Sequence, residues 1–378
     1  MFTMLREDER AMFKSKIFLI GKEKGTLVPL EESEYVSEDA LQDLLAKYPD
    51  LLPGDQIEPD DPCRWMLVTR EMPVPDVADG AGRWSLDHLF LDQFGIPTFV
   101  ECKRATDTRT RREVVVQMLD YAANGVQYWS VDQIKAQAEK TAEQAGATLE
   151  DQVSKLLGAD KDQDAYWSVV EGNLAGRRIR LIFVTDSTPS ELRRLVEFLN
   201  EEMENVRVLA IELKQYQSAK GDHPPAIAPR VIGLTEAARR PQPTRPITQE
   251  EFLAKCAPGA KQFFTHALDQ AAAGRCIVYW GRVGLSLRAD LPTGVTTFAY
   301  CWAPRRFEFY FAGSIREPTF ADALRRKILA TGLFKEGGNY YLRATVDEAN
   351  LEAMVNAFEL MLNELDKFAA ELKPHGES

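Results

Sequence analysis

Cysteine and histidine are scarce in this chain, and their placement excludes several chemistries. Only 5 cysteines occur in 378 residues, Cys63, Cys102, Cys256, Cys276 and Cys301, and no two are spaced as Cys-x-x-Cys. An odd number without that spacing predicts neither a zinc knuckle nor a disulfide framework. A cytoplasmic, reducing compartment fits. The 4 histidines, His88, His223, His266 and His375, match no His-Glu-x-x-His pattern, so a helical zinc-hydrolase site is not expected. No Gly-rich loop ends in Gly-Lys-Ser/Thr, which removes a built-in ATP motor. There is no internal repeat at a solenoid period, and no apolar run long enough to span a membrane. The opening residues Met1-Phe2-Thr3-Met4-Leu5-Arg6-Glu7-Asp8 turn charged at once and lack the apolar core of a signal peptide.

Positive charge is also short. With 46 Lys and Arg against 58 Asp and Glu, the formal net charge is −12. That balance excludes a protein that coats nucleic acid by bulk electrostatics, so any such binding must be local. The 45% apolar and 28% charged content is that of a soluble globular chain, long enough for two domains with sizeable cores.

The informative stretch is 83–121. Two apolar runs, 84–91 and 96–102, flank Asp92-Gln93-Phe94-Gly95 and predict a β-hairpin. With Phe94 at the turn centre, Asp87 faces Glu101 across the ladder, and alternation puts Lys103 on the same face. Opposed carboxylates repel and raise one another's pKa unless a cation lies between them. Mg²⁺ answers that problem, since it typically uses one or two carboxylates and fills its other positions with water and phosphate oxygens. An isolated Glu-x-Lys is usually ordinary solvated surface, but Thr98-Phe99-Val100-Glu101-Cys102-Lys103 otherwise reads as a buried central strand, where an unpaired charge is costly. Asp92 belongs to the turn, where Asp serves local hydrogen bonds. His88 should point to the opposite face, in a structural role. In the helix that follows, Gln117 and Tyr121 are spaced i, i+4 on one face beside Val114 and Met118. Tyr121 alone could equally be a boundary aromatic with a wet hydroxyl. Lys103, Arg104, Arg109, Arg111 and Arg112 form a basic lip between strand and helix, suited to phosphate positioning.

These residues resemble the PD-(D/E)XK nucleases, in the RecB-like and NucS-like branch with a Gln-x-x-x-Tyr helix. The match runs through Gly82-Arg83-Trp84-Ser85-Leu86-Asp87, Glu101-Cys102-Lys103 and Gln117-Met118-Leu119-Asp120-Tyr121. The Gly stands five residues before the Asp instead of three, and no Pro precedes Asp87. Residues 37–45 followed by Tyr48-Pro49 look like the family's opening helix. The resemblance implies a restriction-endonuclease-like α/β fold with a mixed sheet flanked by helices. It implies Mg²⁺, with Mn²⁺ able to substitute, on Asp87 and Glu101, with Glu38 as a further ligand. Lys103 would orient or deprotonate the attacking water, and Gln117 and Tyr121 would contact the substrate backbone, with Arg104, Arg109, Arg111 and Arg112 as further nucleic-acid contacts. The activity implied is a Mg²⁺-dependent phosphodiesterase, a DNA endonuclease of repair or anti-phage defence. Two other readings stand beside it: a non-catalytic nuclease-fold module that binds nucleic acid or a partner protein, and a nuclease gated by a small nucleotide bound in the C-terminal domain. A homodimer is compatible with each.

For organisation, the sequence predicts a nuclease-like domain over 1–240, with a strand at 16–20, a helix at 38–47, a helical insertion at 132–175, a strand at 178–185, a helix through 200 and a strand at 206–213. Residues 218–229 read as loop, and 241–247 as a Pro-rich linker. The remainder, 248–378, predicts an α+β domain. It has helices at 249–256 and 260–273 broken at Pro258-Gly259, strands at 276–283, 297–302 and 306–311, and helices at 320–330 and 346–372. Tyr279, Trp280, Phe298, Tyr300, Trp302, Phe307, Phe309, Tyr310 and Phe311 offer mostly core, with a stacking surface as the alternative. Arg305-Arg306 and Arg325-Arg326-Lys327 offer phosphate contacts or solvated surface.

Overall fold

The computed structural model describes residues 16–21, 25–75, 84–104, 111–158, 163–203, 205–234, 245–292, 294–311, 315, 317–336 and 341–371. The chain is mixed α/β, with one mixed sheet flanked by helices and a second, antiparallel sheet.

The first sheet is built on a meander of β3 (Trp65–Val74), β4 (Trp84–Asp92) and β5 (Pro97–Lys103), all antiparallel neighbours. β5 then pairs in parallel with β6 (Ile179–Thr185), and β6 with β7 (Val206–Gln217). β8 (Ala226–Ile232) lies antiparallel on the other edge of β7, and the hairpin of β1 (Lys16–Ile20) and β2 (Leu27–Ser33) joins residues 215–217 of β7. β5 is central, and Thr98, Phe99, Val100, Glu101 and Cys102 are all buried.

Alternation along these strands divides the core in two. On one face, Phe90, Val100, Cys102, Ile182 and Ile211 pack with Leu41 and Leu45 of α1 (Glu38–Lys47); a single turn, α2 (Gly54–Ile57), follows. On the other face, Leu89, Leu91, Phe99 and Leu181 meet α3 (Arg111–Tyr128), α4 (Val131–Gln144), α5 (Leu149–Leu157), α6 (Gln163–Ala175) and α7 (Ser190–Glu202). Gly125 lets α3 lie directly on β5: a Cβ there would stand 2.9 Å from the rings of Phe99 and Trp129.

Three sequence expectations change. The helices of 131–157 do not hang off the core, because Ile134, Ala138 and Ala142 form a buried stripe on α4 and Thr141 Oγ1 donates to Val68 O at 2.7 Å. Their polar composition conceals a narrow i, i+4, i+8 apolar face. Residues 226–232 form a strand despite Pro229, since among the described residues β8 pairs with β7 alone and an edge strand tolerates a missing donor. Two further strands, β2 and β3, lie where no strand was expected.

The second sheet has the order β13-β14-β12-β11-β10-β9. Its strands are β9 (Ile277–Trp280), β10 (Gly284–Leu291), β11 (Gly294–Trp302), β12 (Arg306–Tyr310), β13 (Lys335–Glu336) and β14 (Tyr341–Thr345). β10, β13 and β14 are additional to the three strands expected from sequence. The helices α8 (Gln249–Ala254), α9 (Pro258–Ala272), α10 (Pro318–Leu329) and α11 (Leu351–Glu371) join Phe298, Phe307, Phe309 and Phe311 in a separate core. The expected break between two helices is there, at 255–257, and Pro258 itself opens α9, its fixed φ suiting the first turn. Of the expected linker, residues 241–244 lie outside the described residues.

Tyr300, Trp302 and Tyr310 face away from that core and pack against Ala175 of α6, while Arg282 lies over the Phe94 ring at 4.8 Å. The second sheet therefore docks beside the β4–β5 turn, at the end of β5 remote from Lys103. The aromatics are core and seam.

Candidate active site

The turn that sets the register is built by Asp92. Its Oδ1 accepts from the backbone of Phe94 and Ile96, each at 2.9 Å, and Gly95 takes a φ of 67°. Its Oδ2 pairs with the fully buried Arg180 at 3.0 Å. Asp92 is structural, as expected for the turn.

With the turn fixed, His88 pairs with Val100, and one further step in that register sets Asp87 opposite Glu101. Asp87 Oδ2 accepts from the backbone amide of Cys102 at 2.7 Å. Lys103 Nζ lies 3.2 Å from Glu101 Oε1 and 2.7 Å from Glu38 Oε1. Glu38 reaches it because Ser37 caps α1, accepting from Ala40 N at 3.0 Å, which makes Glu38 the first helical residue. Asp87, Glu101, Lys103 and Glu38 are thus brought together.

The Glu101 side chain is 1% exposed, and its Oε2 is buried with no hydrogen-bond partner. Burial pushes Asp87 up to about 6, with Glu38 adding to the rise and Lys103 and the Cys102 amide opposing it. Burial and then the Asp87 charge push Glu101 up to about 7, against the pull of Lys103. The two carboxyls titrate as a pair. Burial alone would lower Lys103, but Glu101, Glu38 and Asp87 outweigh it and hold the ammonium charged well above its ordinary range.

Tyr121 is buried, not wet: its hydroxyl accepts from Gln117 Nε2. Burial raises its pKa, and the Glu101 and Asp87 carboxylates add to the rise, so the phenol remains a neutral donor beside them. Arg104 is held by Glu34 at 3.1 Å. Arg109 and the side chains of Arg111 and Arg112 lie outside the described residues. His88 turns to the opposite face, with Nε2 2.9 Å from Gln42 O, and burial lowers its pKa to about 4.

Gln42 is the participant that sequence reasoning missed. Its side chain hydrogen-bonds Asp87 and accepts from Arg70 Nη2 at 3.0 Å. The available signal was its i, i+4 spacing from Glu38 on one helix face.

Among the described residues, no group of three or more His, Cys, Asp or Glu is disposed to hold a metal ion, and Glu38 is engaged by Lys103. The donors on hand are the Asp87 and Glu101 carboxylates, with Glu101 Oε2 free. That set fits Mg²⁺ or Mn²⁺, hard cations that take few protein oxygens and otherwise water or phosphate. No family model, no curated protein and no solved structure matches this chain. No helix among the described residues is long and apolar enough to cross a membrane.

Proposed function

We propose that this chain is a divalent-metal-dependent nuclease of the PD-(D/E)XK kind, acting on DNA. The observation that carries the reading is the buried, unpartnered Oε2 of Glu101 beside Asp87. A folded chain gains nothing structural from two desolvated carboxyls whose pKa values are both raised, Glu101 partly by the Asp87 charge, and such pairs are typical of functional sites. The meander β3–β4–β5, followed by parallel β6 and β7 with α3 crossing between, supports a restriction-endonuclease-like core.

Asp87 and Glu101 would hold Mg²⁺ or Mn²⁺, which when bound supplies Lewis acidity at the phosphate and a more acidic water. Lys103, held protonated by Glu101 and Glu38, is a poor general base. Its role is to orient the attacking water and offset negative charge developing on the phosphate oxygens. Gln117 exchanges its bond with Tyr121 for one to the strand, and Tyr121, kept neutral, donates to the same backbone. The test is incubation of single-stranded, double-stranded and closed circular DNA, and of RNA, with Mg²⁺, Mn²⁺ or EDTA. Metal-dependent cleavage of DNA, abolished by EDTA, is expected; inertness of every substrate with both metals overturns the reading. Cutting of closed circles identifies an endonuclease. A role in repair or anti-phage defence would follow from the substrate so identified.

A further inference from the structure

Where the two sheets meet, three arginines gather around one carboxylate. Glu308 of β12 is fully buried. Its Oε1 accepts from Arg306 Nε and Arg343 Nε, both at 2.8 Å, and its Oε2 from the Tyr310 hydroxyl at 3.4 Å. Arg306 Nη2 continues across the seam to Ala175 O at 2.6 Å, two residues from Arg177. Arg343 Nη2 donates to the Tyr341 hydroxyl at 2.9 Å, and that hydroxyl to Gln127 Oε1 at 3.0 Å. Glu308 neutralises one guanidinium of the three, so the cluster keeps an excess of positive charge in a protein whose net charge is −12.

Arg177 makes the excess pointed. The α6 terminus closes as a Schellman motif, with Arg177 N donating to Leu174 O at 3.0 Å and Arg178 N to Asn173 O at 2.7 Å. The residue at its αL position is usually glycine. Here it is Arg177 at φ 56°, although Gly176 stands next to it. A side chain in that region costs about 1 kcal/mol. Burial and the charges of Arg343 and Arg306 all act against it. Its guanidinium has no hydrogen bond or ion pair among the described residues. A strained, half-exposed arginine whose charge is opposed by two others invites an anion that satisfies all three.

We propose that Arg177, Arg306 and Arg343 form a phosphate-binding site at the seam between the sheets. Tetrahedral oxyanions suit it: Arg177 offers a whole fork of donors, and Arg306 and Arg343, whose Nε and Nη2 are engaged, each keep Nη1. Gln127 ties the site to the last turn of α3, about 15 Å along the helix from Gln117. The phosphate can belong to a nucleic-acid backbone or to a free nucleotide. The site shares no residue with the Asp87–Glu101 pair, so it stands or falls apart from the nuclease reading.

The test is binding by the full-length protein in EDTA, so that no cleavage intervenes. The probes are a labelled single-stranded oligodeoxynucleotide, its duplex, ATP and inorganic pyrophosphate. The wild type is compared with Arg177→Gly and Arg343→Gln. Arg177→Gly suits the αL position, so its melting temperature should equal or exceed that of the wild type. It should bind about ten-fold more weakly, and on an oligonucleotide its log–log salt slope should be smaller by about 1. Loss confined to the oligonucleotides assigns the site to a nucleic-acid backbone; loss confined to ATP and pyrophosphate assigns it to a free phosphorylated ligand. Failure of the wild type to bind any probe, or unchanged affinity in both variants, overturns the proposal.

Discussion

The backbone amide of Cys102 donates to Asp87 Oδ2 at 2.7 Å, so the residue between Glu101 and Lys103 holds the carboxylate of the neighbouring strand. The side chains on either side of that amide are the other two members of the site. One strand end therefore positions acid, acid and ammonium together, with α1 adding Glu38 and Gln42 from beyond the sheet. The rigidity comes from the central strand, whose residues 98–102 are buried throughout.

Lys103 is the group whose loss should separate fold from chemistry. In Lys103→Ala the circular dichroism spectrum should match the wild type, because no apolar core contact is removed. Cleavage should fall by two orders of magnitude or more, the size of effect seen when one preorganised charge-stabilising donor is deleted (about 10²–10³). Lys103→Arg should not restore it, since a planar fork does not reproduce a point charge between Glu101 and Glu38. Undiminished metal-dependent cleavage in Lys103→Ala would remove Lys103 from the mechanism.

Metal affinity should depend on pH through the carboxyl pair. Asp87 near 6 and Glu101 near 7 retain protons in the metal-free protein at mildly acid pH, and those protons must leave for a cation to bind. Affinity for Mn²⁺ should therefore strengthen as pH rises from about 5.5 to 7.5 and then level off. Calorimetry in two buffers of different ionisation enthalpy should detect proton release on binding at pH 6 and much less at pH 8. Metal binding without proton release at pH 6, or binding unaffected by Asp87→Asn, would count against the pair as the metal site.

The sequence made the site legible because its geometry is local. The positions of Asp87, Glu101 and Lys103 follow from a single turn and strict alternation, and Asp92 with Gly95 fixes that turn. Gln117 and Tyr121 were equally legible, through helical spacing. Less legible was whatever depends on distant packing. The Tyr121 hydroxyl is dry because α3 lies on Phe99, which no local pattern encodes. The stripe on α4 is hidden by polar neighbours, and β8 by a proline that only its edge position makes harmless. Arg306 drew notice as a basic pair with Arg305, yet its true neighbours, Glu308, Arg343 and Ala175, come together only when the two sheets meet.

Gly125 should act on the site from a distance. A Cβ there would meet Phe99 and Trp129 at 2.9 Å, so Gly125→Ala must lift α3 from β5 or shift both rings. Overpacking of this kind typically costs about 1–3 kcal/mol, and the displaced helix carries Gln117 and Tyr121 with it. The variant should lose activity mainly in kcat while Mn²⁺ affinity, set by Asp87 and Glu101, changes little. Wild-type kcat in a folded Gly125→Ala protein would show that the seating of α3 on β5 is not needed for the chemistry.

The carboxyl pair should also weaken the metal-free fold, and Glu101→Gln should reveal it. Glu101 is raised from an ordinary 4.5 to about 7 in the folded chain. Between those values the unfolded chain has released a proton that the folded chain still holds, so stability falls as pH rises through that window and is constant above it. Below about 4.5 the group is protonated in both states and contributes nothing. Glu101→Gln removes this cost, keeps an oxygen for Lys103 and offers an amide donor to Asp87. It should therefore melt at least about 2 °C above the wild type at pH 8 without metal, with the gap closing toward pH 4.5. Saturating Mn²⁺ should stabilise the wild type more than the variant and narrow or reverse the difference at pH 8. A variant less stable than the metal-free wild type at pH 8 would mean that Glu101 is a structural charge satisfied by Lys103, and the metal reading would lose its main support.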